Sequence, residues 1–294
     1  MNRCAAIDIG TNSTRLLVAE YSDGNLKPLE SRLVTTRLGQ GAGGGVLLPG
    51  VMERTAEAVK SLYRAAIGLG AERVAAAATS AVRDASNRGE FLNMVKLRTG
   101  LKVRVLSGEE EAALSYRGAL AGLSVDRNST AVLDVGGGST ELIWTQGKSL
   151  RLASINAGAV RASESGTGED DLAALLRTTL EDACSSTLKT LVGVGGTITT
   201  LAAIDQRLEP YDPEKVHGYP LNYVNVNNIL KVLKEMSIQE RKKLPGLQPE
   251  RADIIVAGAA IVKIVMEGLG LGSLIVSEWD ILHGLVLEEV EIKK

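Results

Sequence analysis

Two stretches of this chain share one pattern, and their repetition limits the possible folds more than any other feature. The first, residues 5–18, reads AAIDIGTNSTRLLV, and the second, residues 131–144, reads AVLDVGGGSTELIW. They align without a gap and have six identical residues, including the aspartate, the first glycine and the serine-threonine pair. Spaced self-similarity of this kind predicts a duplicated structural unit.

Each copy predicts a β-hairpin with a tight turn. Apolar and β-branched residues form the strands, and glycines let the chain reverse and bring backbone N–H groups close to a ligand. Such amides form a concavity that attracts phosphate oxygens, and nearby hydroxyl groups add hydrogen-bond donors. The predicted contacts are the hydroxyls of Thr11, Ser13, Ser139 and Thr140 and the amides of Gly136, Gly137 and Gly138.

Acidic residues accompany both turns. One copy alone would be as typical of a plain β-hairpin as of a phosphate site, whereas two copies are expected when two related domains face each other across a phosphate. A carboxylate beside a phosphate is repelled unless a divalent cation lies between them. Asp8, Asp134 and Glu141 therefore predict a magnesium site.

The composition sets the class of protein. The 294 residues are enough for two domains, each with its own core. A hydrophobic content of 45% and a charged content of 23% are typical of a soluble globular protein. The formal net charge of −2 provides no overall positive field for nucleic acid or a membrane surface. An aromatic content of 3% argues against base stacking as a binding mode.

The scarce residue types add further limits. Cys4 and Cys184 are too few for a disulfide scaffold, so we expect both to act as small apolar residues in a reducing compartment. Only His217 and His283 are present, which excludes a histidine-rich metal site. Neither an apolar leader after Met1 nor a run of about 20 apolar residues is present, so we expect a cytoplasmic protein.

The rest of the first half predicts a sheet with crossing helices. Residues 25–36 add a third strand to the first hairpin, and residues 72–78 form a buried parallel strand after a helix. Arg83 follows that strand, at the end of the sheet where open α/β proteins bind ligands. Its guanidinium is either a phosphate contact or a solvated group that caps a helical turn.

The first half also contains one glycine-rich segment and one acidic segment. Residues 38–50 form a glycine-rich loop that lacks the Lys-Ser/Thr ending of a phosphate-binding P-loop, so we interpret it as a surface loop. Residues 107–111 begin a helix, with Ser107 as N-cap and glutamates that suit the helix dipole. Glu111 also begins an apolar stripe, where a carboxylate needs a chemical reason.

The second half repeats the arrangement. Residues 149–156 extend the second hairpin, and residues 158–165 are expected to cross to a helix over residues 170–187. A further strand then leads into a helix through Gly195, Gly196 and Thr197. The amides at that helix N-terminus favour an anion site over a plain tight turn.

With these residues in view, the chain resembles the exopolyphosphatase and guanosine pentaphosphate phosphatase family, which has the fold of actin, sugar kinases and heat-shock-protein ATPases. The resemblance covers nearly the whole chain. Its motifs follow the family's order: DIGTNSTRLL (8–17), RLGQG (37–41), ATSAVRDASN (78–87), SGEEEA (107–112), DVGGGSTEL (134–142), GAVR (158–161), VGVGGTITTLAA (192–203), YDPEKVHG (211–218) and PGLQPERADIIVAGAAI (245–261).

The resemblance implies a role for several side chains. The glutamate before the alanine of the SGxEEA motif is the family's catalytic base, which here is Glu111. The family's metal-binding acids correspond to Asp134 and Glu141. Its phosphate-contacting positions correspond to Asp8, Asn12, Ser13, Arg83 and the run from Gly136 to Ser139.

The resemblance also implies an architecture. We expect an α/β protein of two ribonuclease-H-like domains that face a central cleft. The first spans residues 1–122 and includes the helix at 280–294, and the second spans residues 123–279. Residues 280–284 read DILHG where longer members have a GLREG-like motif, and the chain is similar to the short branch that lacks a further C-terminal module.

The implied activity is hydrolysis of the terminal phosphoanhydride of inorganic polyphosphate with magnesium, which releases orthophosphate. One alternative is guanosine pentaphosphate as the substrate, at the same centre. A second alternative is a nucleotide-binding module or kinase of the superfamily without a hydrolytic role. Neither nucleic acid nor a membrane is expected as a partner, and family analogy suggests a homodimer.

Overall fold

Each copy of the repeated segment forms two adjacent strands of a mixed sheet in the computed structural model. The structure describes residues 2–22, 25–41, 45–147, 149–184 and 186–291. The strands are β1 (Asn2–Ile9), β2 (Ser13–Ser22), β3 (Asn25–Thr35), β4 (Arg73–Ala78), β5 (Arg104–Val105), β6 (Thr130–Val135), β7 (Thr140–Gln146), β8 (Ser149–Ile155), β9 (Thr190–Val194), β10 (Pro220–Asn222) and β11 (Ser273–Val276).

Helices alternate with these strands along the chain. The α-helices are α1 (Pro49–Gly68), α2 (Ser80–Arg83), α3 (Arg88–Thr99), α4 (Gly108–Ala121), α5 (Ala159–Ser165), α6 (Glu169–Cys184), α7 (Gly196–Asp205), α8 (Pro213–Val216), α9 (Tyr223–Glu235), α10 (Ile238–Arg241), α11 (Ile255–Gly268) and α12 (Ile281–Glu291). Short 3₁₀ turns lie at Arg127–Ser129 and Pro249–Arg251.

The two sheets have the same strand topology. The first has the order β3-β2-β1-β4-β5, and the second has the order β10-β11-β9-β6-β7-β8. In each, three antiparallel strands form a meander whose first strand pairs in parallel with the strand after a crossing helix. The second sheet has one further edge strand, β10, which is antiparallel to β11. The predicted duplication is therefore confirmed at the level of topology.

The chain divides into two compact units. The first runs to Gly118 and includes the segment from Ile281 onward, and the second is Ala119–Asp280. In the first unit, β1 is buried on both faces, because Ala5, Ile7 and Ile9 pack in one apolar cluster while Cys4 and Ala6 pack in another. This is the alternation expected of a central strand that is covered by helices on both sides.

Two expectations, one for a segment and one for a single residue, were wrong. Residues 158–165 were expected only to cross the sheet, but they contain helix α5. Cys184 was expected to be a small apolar residue, but it is exposed, and its thiol donates to the Gly268 carbonyl oxygen at 2.9 Å. The buried stripe of α6 ends at Ala183, so the next position faces outward.

Three more observations complete the description of the fold. Cys4 is buried, as expected. Part of the glycine-rich loop at 38–50 lies outside the described residues, namely positions 42–44. Among the described residues, no helix has both the length and the apolar character needed to cross a lipid bilayer.

α12 packs closely on α4 at Gly284, where there is no space for a side chain. A β-carbon at Gly284 would lie 2.1 Å from the Leu114 carbonyl oxygen, so neither backbone can approach as closely if the side chain grows. We expect Gly284→Ala to reduce the free energy of unfolding by about 1–3 kcal/mol, the usual cost of overpacking. The measurement is the midpoint of urea unfolding.

Gly68→Ala is the matched control, because no atom lies within 4 Å of a β-carbon there. Replacing this helical glycine is expected to leave stability unchanged or to raise it by about 0.5–1 kcal/mol. Equal midpoints for Gly284→Ala and the wild-type protein would contradict the packing argument.

Candidate functional site

The two hairpin turns close in the same way. In the first unit, the amide of Gly10 donates to the Ser13 carbonyl oxygen at 3.0 Å, and in the second, the amide of Gly136 donates to that of Ser139 at 3.0 Å. A β-carbon at either glycine would lie 3.0 or 3.1 Å from the accepting oxygen, so a side chain there would force the turn to shift by a few tenths of an ångström. The sequence repeat is therefore a repeat of backbone geometry.

In the second turn, the segment after the meander holds the carbonyl groups. The Gly136 carbonyl oxygen accepts from the amide of Ala159 at 2.9 Å, and that of Gly137 accepts from Val160 at 2.8 Å. The side chain of Arg161 donates to the Gly138 carbonyl oxygen at 2.8 Å. Because the peptide unit is planar and trans, each N–H points opposite to the carbonyl that precedes it.

This bracing determines which way the turn amides point. The N–H groups of Gly137, Gly138 and Ser139 all point away from α5, which is the orientation needed to hold an anion. Gly158 makes the close approach possible, because a β-carbon there would lie 2.5 Å from Gly137 backbone atoms. The GAVR motif of the sequence thus serves the turn.

The first turn is braced by the equivalent segment of its own unit. The Asn12 carbonyl oxygen accepts from the amides of Thr36 at 3.1 Å and Arg37 at 2.7 Å, and that of Thr11 accepts from Gly39 at 2.9 Å. The N–H groups of Asn12 and Ser13 therefore point away from this segment. Gly39 supports the turn, which places the start of the glycine-rich loop in a structural role.

The side chains of the first turn lie close to α2. Thr11 and Asn12 are buried, and the Thr11 hydroxyl shares a hydrogen bond of 2.8 Å with the hydroxyl of Ser80. Ser80 begins the short helix that ends at Arg83. The first turn and the predicted arginine contact are thus linked through one hydroxyl pair.

Thr140 has a different environment from the other predicted phosphate contacts. It is fully buried, and its hydroxyl donates to the Ala157 carbonyl oxygen at 2.5 Å. Its counterpart in the first unit, Thr14, is also fully buried and bonds to the hydroxyl of Thr36 at 3.0 Å. Each of these threonines directly follows the serine of its turn, so its side chain lies on the face of the sheet opposite to that of the serine side chain. These contacts show that Thr140 serves the fold.

In each repeat an aspartate near the end of the first strand has a charged cross-strand neighbour, and the sign of that neighbour's charge differs between the two units. Asp134 pairs across the strands with Glu141, so the two carboxylates share one face of the sheet. In the first unit Asp8 pairs with Arg15, and an Nη2 of the arginine lies 2.6 Å from Oδ2 of the aspartate. The repeated hairpin therefore carries two acids in one unit and an ion pair in the other.

The residues of the second unit fit a hard divalent cation. Magnesium binds oxygen ligands, usually one or two carboxylates together with waters and substrate phosphate. Glu141 is 1% exposed, and its Oε1 accepts from the Ser154 hydroxyl at 2.7 Å, which orients the carboxylate. Gly195 leaves room beside the other acid, because a β-carbon there would lie 2.7 Å from Asp134 Oδ1.

The described residues contain no larger group of possible metal ligands than the pair Asp134 and Glu141. Among the residues that the structure describes, no cluster of three or more histidine, cysteine, aspartate or glutamate side chains could hold a metal ion. A site with two carboxylates depends on waters and phosphate for its remaining ligands, which is the usual arrangement for magnesium in phosphoryl-transfer sites.

Glu111 is the buried member of the glutamate run on α4. Its exposed neighbour Glu110 forms a capping box with Ser107, with N–H to oxygen distances of 2.8 and 3.1 Å. Glu111 is 9% exposed, and its Oε2 accepts from Arg83 Nη1 at 2.7 Å. The structure therefore brings together the predicted base and the predicted arginine, which lie on different elements of the first unit.

Arg83 is held by backbone as well. The same Nη1 donates to the Leu106 carbonyl oxygen at 3.2 Å, and Nε lies 3.7 Å from Asp84 Oδ1. A guanidinium has five N–H donors in a planar fork, so these contacts orient it without using its whole capacity. The alternative of a solvated capping arginine is wrong, because the side chain is half-buried and bonded to a catalytic candidate.

An arginine that the sequence did not single out lies at the third glycine motif. A β-carbon at Gly196 would lie 2.2–2.4 Å from the guanidinium of Arg251, so this side chain rests on the first turn of α7. Its Nε donates to Gln248 Oε1 at 3.1 Å. The only available signal was the arginine in the PERAD part of a recognised motif, with nothing local to link it to Gly195 or Thr197.

A partly buried tyrosine lies beside this arginine. The Tyr211 hydroxyl donates to the Glu278 carboxylate. Burial is the main cause that raises the pKa of Tyr211 far above its usual value, and the charge of Glu278 adds to it. Tyr211 therefore stays protonated at every physiological pH and acts as a fixed donor.

His217 has a structural role in the second unit. Its Nδ1 accepts from the amide of Glu278 at 3.2 Å, so Nε2 carries the proton and donates to the Gly122 carbonyl oxygen at 2.9 Å. The ring stacks on Trp279 with centroids 6.3 Å apart. These contacts explain the histidine without a metal.

Comparison with known proteins places the chain in a family. The model of the Ppx/GppA phosphatase family matches residues 17–292. Exopolyphosphatase 2 of Mycobacterium tuberculosis is 34% identical over 313 residues, which cover 98% of this chain and 98% of that protein. The bifunctional 3-dehydroquinate synthase/phosphatase of Fusobacterium nucleatum is 33% identical over 98% of this chain, which spans only 47% of that longer relative.

Solved structures agree with this assignment. A crystal structure of the Aquifex aeolicus member of the Ppx/GppA family matches with a TM-score of 0.83 and 34% identity, over 100% of this chain and 99% of the other. An exopolyphosphatase from Cytophaga hutchinsonii matches with a TM-score of 0.90 over 99% and 98% of the two chains. At 24% identity, the latter likeness supports the fold alone.

Together, topology and comparisons define a phosphoanhydride hydrolase with the two-domain fold of actin, sugar kinases and heat-shock-protein ATPases. The chain belongs to the Ppx/GppA phosphatase family. The resemblance seen in the sequence is confirmed, and a hydrolase class argues against a purely nucleotide-binding module.

The close packing of Gly158 against the second turn can be tested by substitution. We expect Gly158→Ala to displace Gly137 and to lower phosphate release by at least about 10-fold, since a displacement of about 1 Å in an active site can cost about 100-fold. The measurement is kcat/KM for phosphate release, with circular dichroism to show that the variant is folded.

Gly168→Ala is the control for this experiment. A β-carbon there would make an ordinary contact of 3.9 Å with the Asp171 side chain, so activity should not change. Wild-type activity in a folded Gly158→Ala protein would show that the amides of the turn do not take part in the reaction.

Proposed function

We propose that this protein is a magnesium-dependent exopolyphosphatase that removes the terminal phosphate of inorganic polyphosphate. The observation that carries the proposal is the pair Asp134 and Glu141 on one face of the sheet, directly beside a turn whose amides point to the ligand side. The name of the Mycobacterium tuberculosis relative, which is similar over its full length, supports polyphosphate as the substrate.

In this proposal Asp134 and Glu141 hold the cation. When bound, the cation offsets negative charge on the phosphate and on the leaving oxygen. Asp8 was predicted as a third ligand, but its ion pair with Arg15 already balances its charge. We therefore give Asp8 the part of orienting Arg15 beside the first turn, and we keep the two acids of the second unit as the metal ligands.

Glu111 is the proposed general base. Arg83 holds one oxygen of its carboxylate at 2.7 Å and so fixes the plane of the group. The other oxygen would orient the attacking water and accept its proton as the bond to phosphorus forms. Assistance of this kind typically contributes about 100- to 10,000-fold to the rate.

The remaining groups bind the negative charge of the phosphate. The proposed donors are the amides of Asn12, Ser13, Gly137, Gly138 and Ser139, the hydroxyls of Thr11, Ser13 and Ser139, and the first turn of α7 at Gly195, Gly196 and Thr197. Such preorganised donors supply much of the catalysis in phosphoryl transfer. That both units act on one substrate stays a prediction of the sequence, as does the homodimer.

A panel of substrates tests the proposed function. Purified protein with magnesium is incubated in parallel with long-chain polyphosphate, tripolyphosphate, guanosine pentaphosphate and ATP, and orthophosphate release is measured. We expect the highest kcat/KM for polyphosphate. Release from guanosine pentaphosphate alone would replace the proposal with the second activity implied by the family resemblance.

The base assignment makes a separate prediction. We expect Glu111→Gln to lower kcat by about 100-fold or more while substrate binding stays nearly unchanged, because the amide keeps the shape but cannot accept a proton. The measurements are kcat and the dissociation constant for polyphosphate.

Glu110→Gln is the matched control on the same helix. Glu110 is exposed and caps α4, and glutamine can still accept the bond from the Ser107 amide, so turnover should stay at the wild-type level. A Glu111→Gln protein that retains most of its activity would refute the assignment.

The metal assignment predicts a shift in magnesium dependence. We expect Glu141→Gln to raise the magnesium concentration for half-maximal activity by about 10-fold or more, because one of two charged ligands is lost. Glu181→Gln, an exposed acid on α6, is the control. The same magnesium curve for Glu141→Gln and wild type would remove Glu141 from the site.

A further inference from the structure

A cavity in the second unit has two lysines in its lining and contains none of the residues assigned above to the reaction. It has a volume of about 250 Å³ and lies between residues 208–211 and residues 242–249. Lys242 and Lys243 line one side, and Glu209 is the acid among the lining residues. Among the described residues, neither lysine has an ion-pair partner within 4.0 Å. We call this feature the lysine cavity.

The backbone that carries the two lysines is firmly held. Their neighbour Arg241 donates to the Leu233 carbonyl oxygen at 2.8 Å and to that of Ala252 at 3.2 Å, so the third basic residue of this run has a structural role. Gly246 packs on α7 so closely that a β-carbon would lie 2.3 Å from Ala203 backbone atoms. The loop can therefore present both ammonium groups with little backbone reorganisation.

The lysine cavity is connected to the beginning of α7. Gln248 lines the cavity, and its Oε1 accepts from Nε of Arg251 at 3.1 Å. The guanidinium of Arg251 in turn rests on Gly196. Two side chains thus join the proposed phosphate contacts at α7 to the cavity, and both present N–H donors.

We infer that the lysine cavity binds the inner phosphates of a linear polyphosphate whose terminal phosphate is hydrolysed. This inference rests on the proposed function. A chain with a negative charge on every phosphate needs cations along its path, and the residues that line the cavity include two lysines and one glutamate. The carboxylate of Glu240, which does not line the cavity, interacts with Lys243 and leaves Lys242 as the less compensated charge. Exposed ammonium groups bind such a chain without regard to its register, as required if the chain shortens at each turnover.

The first experiment compares substrates of different length. We expect Lys242→Ala/Lys243→Ala to raise KM for long-chain polyphosphate by about 5- to 10-fold, the order of effect of two exposed charge pairs. The values of kcat and of KM for tripolyphosphate should stay unchanged, because a short substrate is held by the catalytic contacts alone. An equal rise in KM for both substrates, or no rise for the long one, would overturn the inference.

The dependence of KM on salt concentration and a pair of lysine-to-arginine variants test whether the positive charge of the two lysines is responsible for binding. Release of counterions makes binding of a polyanion fall with salt, so each lysine lost should reduce the slope of log KM against log salt concentration by about one. Lys242→Arg/Lys243→Arg should restore both KM and slope. The control Lys189→Ala/Lys231→Ala removes the same charge from exposed sites outside the cavity and should change neither.

Binding without turnover separates this inference from the proposed function. In a Glu111→Gln background, the affinity for fluorescently labelled long-chain polyphosphate should fall about 5- to 10-fold when both lysines are replaced by alanine. Wild-type hydrolysis of polyphosphate with unchanged binding would leave the function standing and refute the lysine cavity. If the wild type releases no phosphate from polyphosphate, the proposed function fails, and a lack of binding in the same assay refutes the inference as well.

Discussion

The site depends on hydrogen bonds that fix the carbonyl groups of two hairpin turns. In the second unit, α5 donates to the carbonyls of Gly136 and Gly137, and in the first unit the segment after β3 donates to those of Thr11 and Asn12. Because each peptide unit is rigid, these bonds orient the amides on the other side of the turn. The face that is proposed to bind the anion is thus oriented before any ligand arrives, which is the condition for effective electrostatic catalysis.

The duplicated hairpin shows how one backbone can hold two charge patterns. At the position across from the shared aspartate, the first unit has Arg15 and the second has Glu141. The arginine forms an ion pair with Asp8, whereas the glutamate places a second acid beside Asp134, and this is the pair proposed above to hold a cation. One difference in residue type at this position therefore separates an ion pair from a pair of acids, with the same strand pairing in both units.

The sequence was sufficient for the parts of the structure that depend on local pattern. Strand alternation, glycine turns and the Ser107 cap predicted both meanders, the crossing helices and the exposed start of α4. The pairing of Arg83 with Glu111 and the position of Arg251 on Gly196 depend on how distant segments pack, so no local signal contained them. Cys184 was misjudged because one residue at the end of a helix can fall on either side of the buried stripe.

The discontinuous first unit has a consequence for synthesis of the protein. One face of its sheet is covered by Ile281, Leu285 and Val286 of α12, which pack with Cys4 and Ala6 of the first strand. A ribosome makes that strand before α12, with the whole second unit between them. The second unit can therefore complete its core while one apolar face of the first unit is still uncovered, until α12 is made. This interval is when the nascent chain is most exposed to aggregation and to chaperones.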